Sequence, residues 1–143
     1  MFSIAKRYKT SEKLATGGFW YTPDYCRDDE NPPRFKLARK HLRSNRKYQA
    51  RMTQYAIENK RQLARPTMHG YEQAETAALK VFCEAVLLDW AGIYDDDGNL
   101  VEYSVEQGIA LMTECPDLYE ELDDIATDRQ NYVEEDAAEI AGK

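Results

Sequence analysis

Residues 77–93, reading AALKVFCEAVLLDWAGI, hold Leu79, Val81, Phe82, Val86, Leu87, Leu88 and Trp90, with only Lys80, Glu84 and Asp89 charged. Those three charges recur at spacings of four and five, which holds them to one flank of a helix and leaves nearly the whole circumference apolar. A helix with no broad face to give to water belongs inside, so the pattern predicts a buried central helix over about 71–93, sheathed by shorter amphipathic pieces. Its apolar runs are too short and too often charged to span a bilayer, which takes about 20 apolar residues.

The flanking patterns are amphipathic. Phe35 and Leu37 alternate with Arg34, Lys36 and Arg39, which predicts a short extended segment near 34–39. Ser44 or Asn45 then caps a helix whose apolar positions Tyr48, Met52, Tyr55, Ala56 and Leu63 follow three-four spacing, with Arg43, Lys47 and Arg51 on the other face and Pro66 as its end. Residues 94–99 read as a turn, with Gly98 or Asn99 supplying positive φ. Ser104 and Gln107 form a capping box for a helix over 105–114, with Ile109, Leu111 and Met112 on its apolar side. Pro116 opens a last helix with the stripe Leu118, Leu122, Ile125, Ala126, Tyr132 and Val133. The fold class is therefore mainly α: a small helical domain over 34–133, preceded by an irregular N-terminal arm over 1–33 and followed by an acidic C-terminal tail over 134–143.

The arm lacks sustained periodicity and carries Gly17-Gly18, Pro23 and Pro32-Pro33, yet Phe19, Trp20, Tyr21 and Tyr25 are too aromatic for an inert linker. They either fold back on the body or dock on another chain. At 143 residues one domain can bury about 68–70% of its unfolded surface. The three cysteines, Cys26, Cys83 and Cys115, lack paired spacing and read as reduced, small apolar residues. The N-terminus has no apolar run long enough for a secretory signal.

Charge changes the picture more. Residues 1–65 hold 16 Lys and Arg against 6 Asp and Glu, while 66–143 hold 3 against 20, so the two halves carry +10 and −17. Either the halves attract each other or solvate separate faces, or each meets a partner of opposite sign. The basic run 34–65 invites a nucleic-acid reading, which the acidic half and the placement of Tyr48 and Tyr55 in a core stripe argue against.

Reactive constellations are weak throughout. His41 and His69 have no Cys or Asp at ligand spacing, and both read as solvated. With Gly98 at the sixth position of a calcium loop, Ile93 and Ser104 would stand where carboxylates are needed, so Asp95-Asp96-Asp97-Gly98 reads as a turn. Gly17-Gly18 lacks the Lys-Ser/Thr of a phosphate loop. Glu120, Asp124 and Asp128 line a water-facing stripe. No catalytic residue, metal site or cofactor is assigned, and the expectation is a protein that is not an enzyme.

The order of pieces PRFKLARK, SNRKYQARM, LLDWAGI, YDDDGNLVEYS and LMTECPDLYEELDDIATDRQNY, over 34–133, resembles the tail assembly chaperones of long-tailed, siphovirus-like bacteriophages. The arm over 1–33 has no counterpart in that pattern. The resemblance implies a helical, non-enzymatic protein of the host bacterial cytoplasm that binds and solubilises the tape measure protein and helps recruit tail tube subunits. It also implies a longer frameshifted form of the same chain, with which the ending Ala141-Gly142-Lys143 is compatible. A holdase needs exposed apolar or aromatic surface together with solubilising charge. Phe19, Trp20, Tyr21 and Tyr25, with Arg43, Lys47 and Arg51 on the basic helix, are accordingly assigned to client or self contacts, homo-oligomerisation included. Leu79, Val81, Phe82, Val86 and Trp90 are assigned to the structural core. The competing readings are a virion structural protein, such as a minor tail or connector component, and, third, a nucleic-acid-binding regulator.

Overall fold

A computed structural model of the protein describes residues 3–64 and 67–133. Seven helices, α1 (Ile4–Tyr8), α2 (Glu12–Gly17), α3 (Arg46–Glu58), α4 (Lys60–Leu63), α5 (Met68–Ala85), α6 (Val105–Glu114) and α7 (Pro116–Thr127), surround three strands among these residues, β1 (Phe19–Tyr21), β2 (Arg34–Leu37) and β3 (Leu87–Ala91). The strands form one antiparallel sheet in the order β1-β2-β3. The protein is mostly helical, as its sequence predicts, with this small sheet added. The helix end expected at Pro66 and the acidic tail over 134–143 lie outside the described residues.

The central helix predicted over about 71–93 is two elements. Helix α5 begins earlier, at Met68, with the Thr67 hydroxyl accepting from the Gly70 N–H, and it ends at Ala85. Val86 turns the chain, and Leu87–Ala91 runs as β3, with Phe35 opposite Trp90 and Leu37 opposite Leu87. The register shifts between Lys36 and Leu37, so that Leu88 is an extra residue on β3. A strand is the better solution because it gives β2 a second partner for its backbone while still burying Val86, Leu87 and Trp90. The all-round apolar circumference read from the sequence is the sum of two periods, one helical and one extended.

A tyrosine closes the break. The Tyr103 hydroxyl lies against the carbonyl oxygens of Cys83, in the last turn of α5, and of Leu87, at the start of β3, the latter at 2.7 Å, and so places its one proton at the junction where the helix stops. Gly108 on α6 makes room for it, since a Cβ there would stand 3.0 Å from the Tyr103 ring and 3.3 Å from Cys83 Sγ. Replacing Tyr103 with Phe should therefore lower unfolding free energy by about 1–3 kcal/mol, read from denaturant midpoints, because buried carbonyls lose their donor.

The segment expected to be irregular, 1–33, holds α1, α2, β1 and a 3-10 turn over Asp24–Cys26. Ser11 caps α2 through the Leu14 N–H, and Gly18 at φ 79° ends it where any Cβ would meet the Leu37 backbone at 3.0 Å. The Ser11 N–H donates to Tyr132 O at 2.7 Å, the Arg39 N–H to Ala15 O at 2.9 Å, and the Phe19 ring stands edge-on to Tyr132 with centroids 5.2 Å apart. Around this seam the core collects Phe35, Leu37, Phe82, Val86, Leu87, Trp90, Met112, Leu122 and Ala126. Of the assigned core residues, Val81, Phe82, Val86 and Trp90 are buried, and Leu79 is half-buried against the cluster.

The remaining predicted elements are present. Asn45 caps α3 by accepting from the Tyr48 N–H at 3.1 Å, and its amide also donates to Arg39 O and Ala85 O, tying α3 to the body. Asn59 interrupts the predicted single helix between α3 and α4. Ser104 caps α6, Pro116 begins α7, and the last helix stops at Thr127, before a 3-10 turn over Arg129–Tyr132. In the 94–99 turn Asp95 Oδ1 accepts from the backbone N–H groups of Asp97 and Asn99, so that carboxylate is used internally.

Candidate interaction surface

Helices α3, α4 and α5 make a hairpin that leaves the body. Residues 46–64 and 67–80 include no buried residue, although α3 and α5 pack along one another. Inside the hairpin the Arg51 Nε donates to Glu84 Oε2, and half-buried Met52, Tyr55, Gln73, Ala74 and Ala77 lie between the helices' outer faces. Its far end is apolar on the outside: Ile57, Leu63, Met68 and Tyr71 are between 49% and 75% exposed. Leu63, Met68, Tyr71 and Ala74, with Gln62, Thr67 and Gly70, line an open groove of about 550 Å³ there. Single exposed apolar side chains need no explanation, but Leu63, Met68 and Tyr71, which share this groove on the adjoining helices α4 and α5, form a patch of the kind that marks a contact surface, while Ile57 faces a separate groove along α3.

The flank of this hairpin is basic. Arg43, Arg46 and Lys47 are exposed at the start of α3, and its first turn contains no acidic residue. Cations there oppose the helix dipole, so an anionic partner would relieve them. Among the described residues only Lys40–Asp123 and Arg51–Glu84 pair a cation of the first half with an acid of the second. Most of the segregated charge therefore faces water, with Glu120, Asp124 and Asp128 exposed along α7.

The residues singled out in the sequence divide between these surfaces and the interior. On β1 the pleat sends Phe19 and Tyr21 inward against the core and Trp20 outward, 42% exposed. Tyr21 donates to Glu121 Oε2 at 2.9 Å, and burial followed by that carboxylate pushes its phenol up to about 12. Trp20 lies on the outer sheet face beneath the Arg34 guanidinium at 4.9 Å and the Lys36 ammonium at 5.9 Å. Tyr25 is 79% exposed within the 3-10 turn. Arg43 and Lys47 reach solvent, whereas Arg51 is held within the hairpin. These residues are thus not brought to one place.

Sequence reasoning passed over the hairpin tip. Ile57, Met68 and Tyr71 do not extend the helical stripes of their neighbours inward, and that mismatch was the available signal. Groups with reactive potential are occupied or shielded: His41 Nδ1 accepts from the Ser44 N–H, His69 pairs with Gln73, and burial pushes the Cys83 thiol up to about 12. No helix of the described residues is long and apolar enough to cross a membrane.

No curated protein matches the chain, and no solved structure does. The model of one family, the YdaY prophage protein, matches residues 37–143, which takes in β3, the whole hairpin and the acidic helices and begins at the end of β2. The chain belongs to the YdaY prophage protein family and is phage-derived.

Proposed function

We propose that this protein is a non-enzymatic tail assembly chaperone acting in the host cytoplasm, which holds apolar helical segments of a tape measure protein through the tip of the α3–α5 hairpin. The observation that supports the reading is that hairpin: residues 46–64 and 67–80 include no buried residue, and Leu63, Met68 and Tyr71 stand exposed together at its far end. An amphipathic client helix can lay its apolar face against such a patch. The basic flank from Arg43 to Lys47 suits acidic residues beside that face, and the acidic α6–α7 surface keeps the complex soluble. Recruitment of tail tube subunits would fall to surfaces away from the tip, the Trp20 face of the sheet among them.

Co-expression with the tape measure protein tests this. The wild-type chain should keep the tape measure soluble and co-purify with it, and the Met68→Ser, Tyr71→Ser double variant should reduce recovery about tenfold or more, since two exposed apolar contacts are worth over about 1.4 kcal/mol together. Both side chains are exposed, so the variant should unfold at the wild-type midpoint. Undiminished co-purification would remove the tip from the mechanism. Mass spectrometry of purified particles should find the protein missing; a fixed copy number in the particle would instead make it a virion structural component.

A further inference from the structure

Arg39 is only 8% exposed, yet among the described residues no carboxylate pairs with it. Its Nη1 donates to Thr10 Oγ1 and Ser44 Oγ, both at 3.2 Å, and its buried Nε has no partner. A buried guanidinium without a counter-ion is costly, and evolution of a structural hydrogen-bonding post would be served as well by a neutral side chain. The surroundings add charge instead of removing it. Arg129 stands close enough to repel Arg39, held by donation to Arg7 O at 2.7 Å and by the Tyr8 ring at 4.7 Å. His41 meets the Ser44 hydroxyl at 2.9 Å, and because its Nδ1 accepts from the Ser44 N–H, its Nε2 carries the ring proton. Three chain segments therefore meet at a seam: the α1–α2 link, the 39–44 loop and the 3-10 turn after α7.

We infer that this seam is an oxyanion site that takes a phosphate group, with Arg39 as its floor and Arg129 and Thr10 beside it. Arg39 and Arg129 are cations and the Thr10 hydroxyl keeps its proton free to donate, whereas a phosphate is an acceptor with one or two negative charges, so it complements both the charge and the hydrogen-bonding sense of the seam. A carboxylate brings a single charge to two guanidinium groups. The inference is independent of the client-binding reading, because the hairpin tip contributes nothing to it. The phosphate comes either free, as inorganic phosphate or a nucleotide, or as part of a polynucleotide backbone.

Titration calorimetry on the full chain at constant ionic strength, with inorganic phosphate and with a short duplex DNA as probes and chloride as the control, separates these. Phosphate should bind saturably and raise the unfolding midpoint above that in chloride. Arg129→Gln should weaken binding about tenfold or more, the usual loss for one charge-assisted hydrogen bond, while staying folded. Arg39→Lys should do the same, and Thr10→Val serves as a milder variant should Arg39→Lys fail to fold. Duplex binding that phosphate competes away and Arg129→Gln abolishes would place the phosphate on a polynucleotide; phosphate binding alone would point to the free form. Heat and midpoint in phosphate equal to those in chloride, or Arg129→Gln and Thr10→Val binding like the wild type, would overturn the site.

Discussion

Replacing Trp90 with Ala should destabilise the protein by about 3–5 kcal/mol, enough to leave many single domains partly unfolded. The indole is 5% exposed on β3, directly across from Phe35, with its ring edge-on to Tyr103 at 4.9 Å and its N–H donating to Val101 O at 2.8 Å. Truncation therefore opens a cavity at the sheet–helix contact and orphans a carbonyl on the 100–103 segment at the same time. Equilibrium urea unfolding reads the cost. Trp20 and Trp90 are the only tryptophans, so the variant should also lose the short-wavelength, buried component of the emission and keep the exposed Trp20 signal. A loss below 1 kcal/mol would mean that β3 does not pack as described.

Tyr132→Ala should cost a similar amount, about 3–5 kcal/mol, and its effect should spread to the N-terminal segment. Tyr132 is fully buried, donates through its hydroxyl toward Leu37 O and Ala38 O at 3.3 and 3.0 Å, and packs on Phe19. Its backbone carbonyl accepts from Ser11. One side chain thus ties the last turn to β2 and β1 together. Amide hydrogen exchange of the variant should show α2 and β1 opening before α5 and α6; uniform opening, or none, would contradict that role. Tyr132→Phe, which keeps the ring contact, should retain most of the stability and lose about 1–2 kcal/mol for the hydroxyl.

Elements defined by local chemistry were legible in the sequence. Asn45, Ser104 and Pro116 mark helix starts through side-chain or φ preferences that act within a few residues, and the structure uses each of them so. The strand at Leu87–Ala91 was hidden because Val86-Leu87-Leu88 continues a helical apolar stripe without a polar interruption, and only pairing with β2, fifty residues earlier in the chain, decides for an extended backbone. The signals for α2 and β1 were present, Ser11 with Gly18 as caps and three aromatics in a row, but Gly17-Gly18 and the prolines obscured them. Period-two alternation across Phe19-Trp20-Tyr21 would have separated Trp20, which faces out, from its two neighbours. Arg39 reads as one more surface cation in a basic run, and nothing local shows that the 39–44 loop buries it.

The charge asymmetry of the sequence survives folding as separate surfaces, because only two ion pairs join the halves among the described residues. In the proposed function, the apolar-tipped hairpin is the contact element and the acidic helices are its solubilising support. Such a division also explains why helix α5 changes character along its length, with its last turns inside the core and its first ones carrying Met68 and Tyr71 at the surface.

Hydrogen exchange of the protein alone and in the presence of a soluble helical fragment of the proposed client, a tape measure protein, tests the hairpin assignment most directly. Slowed exchange should concentrate in residues 57–63 and 67–74, with the sheet and α7 unchanged. Protection confined to the Trp20 face of the sheet or to the acidic helices, with the hairpin tip exchanging as in the free protein, would contradict it.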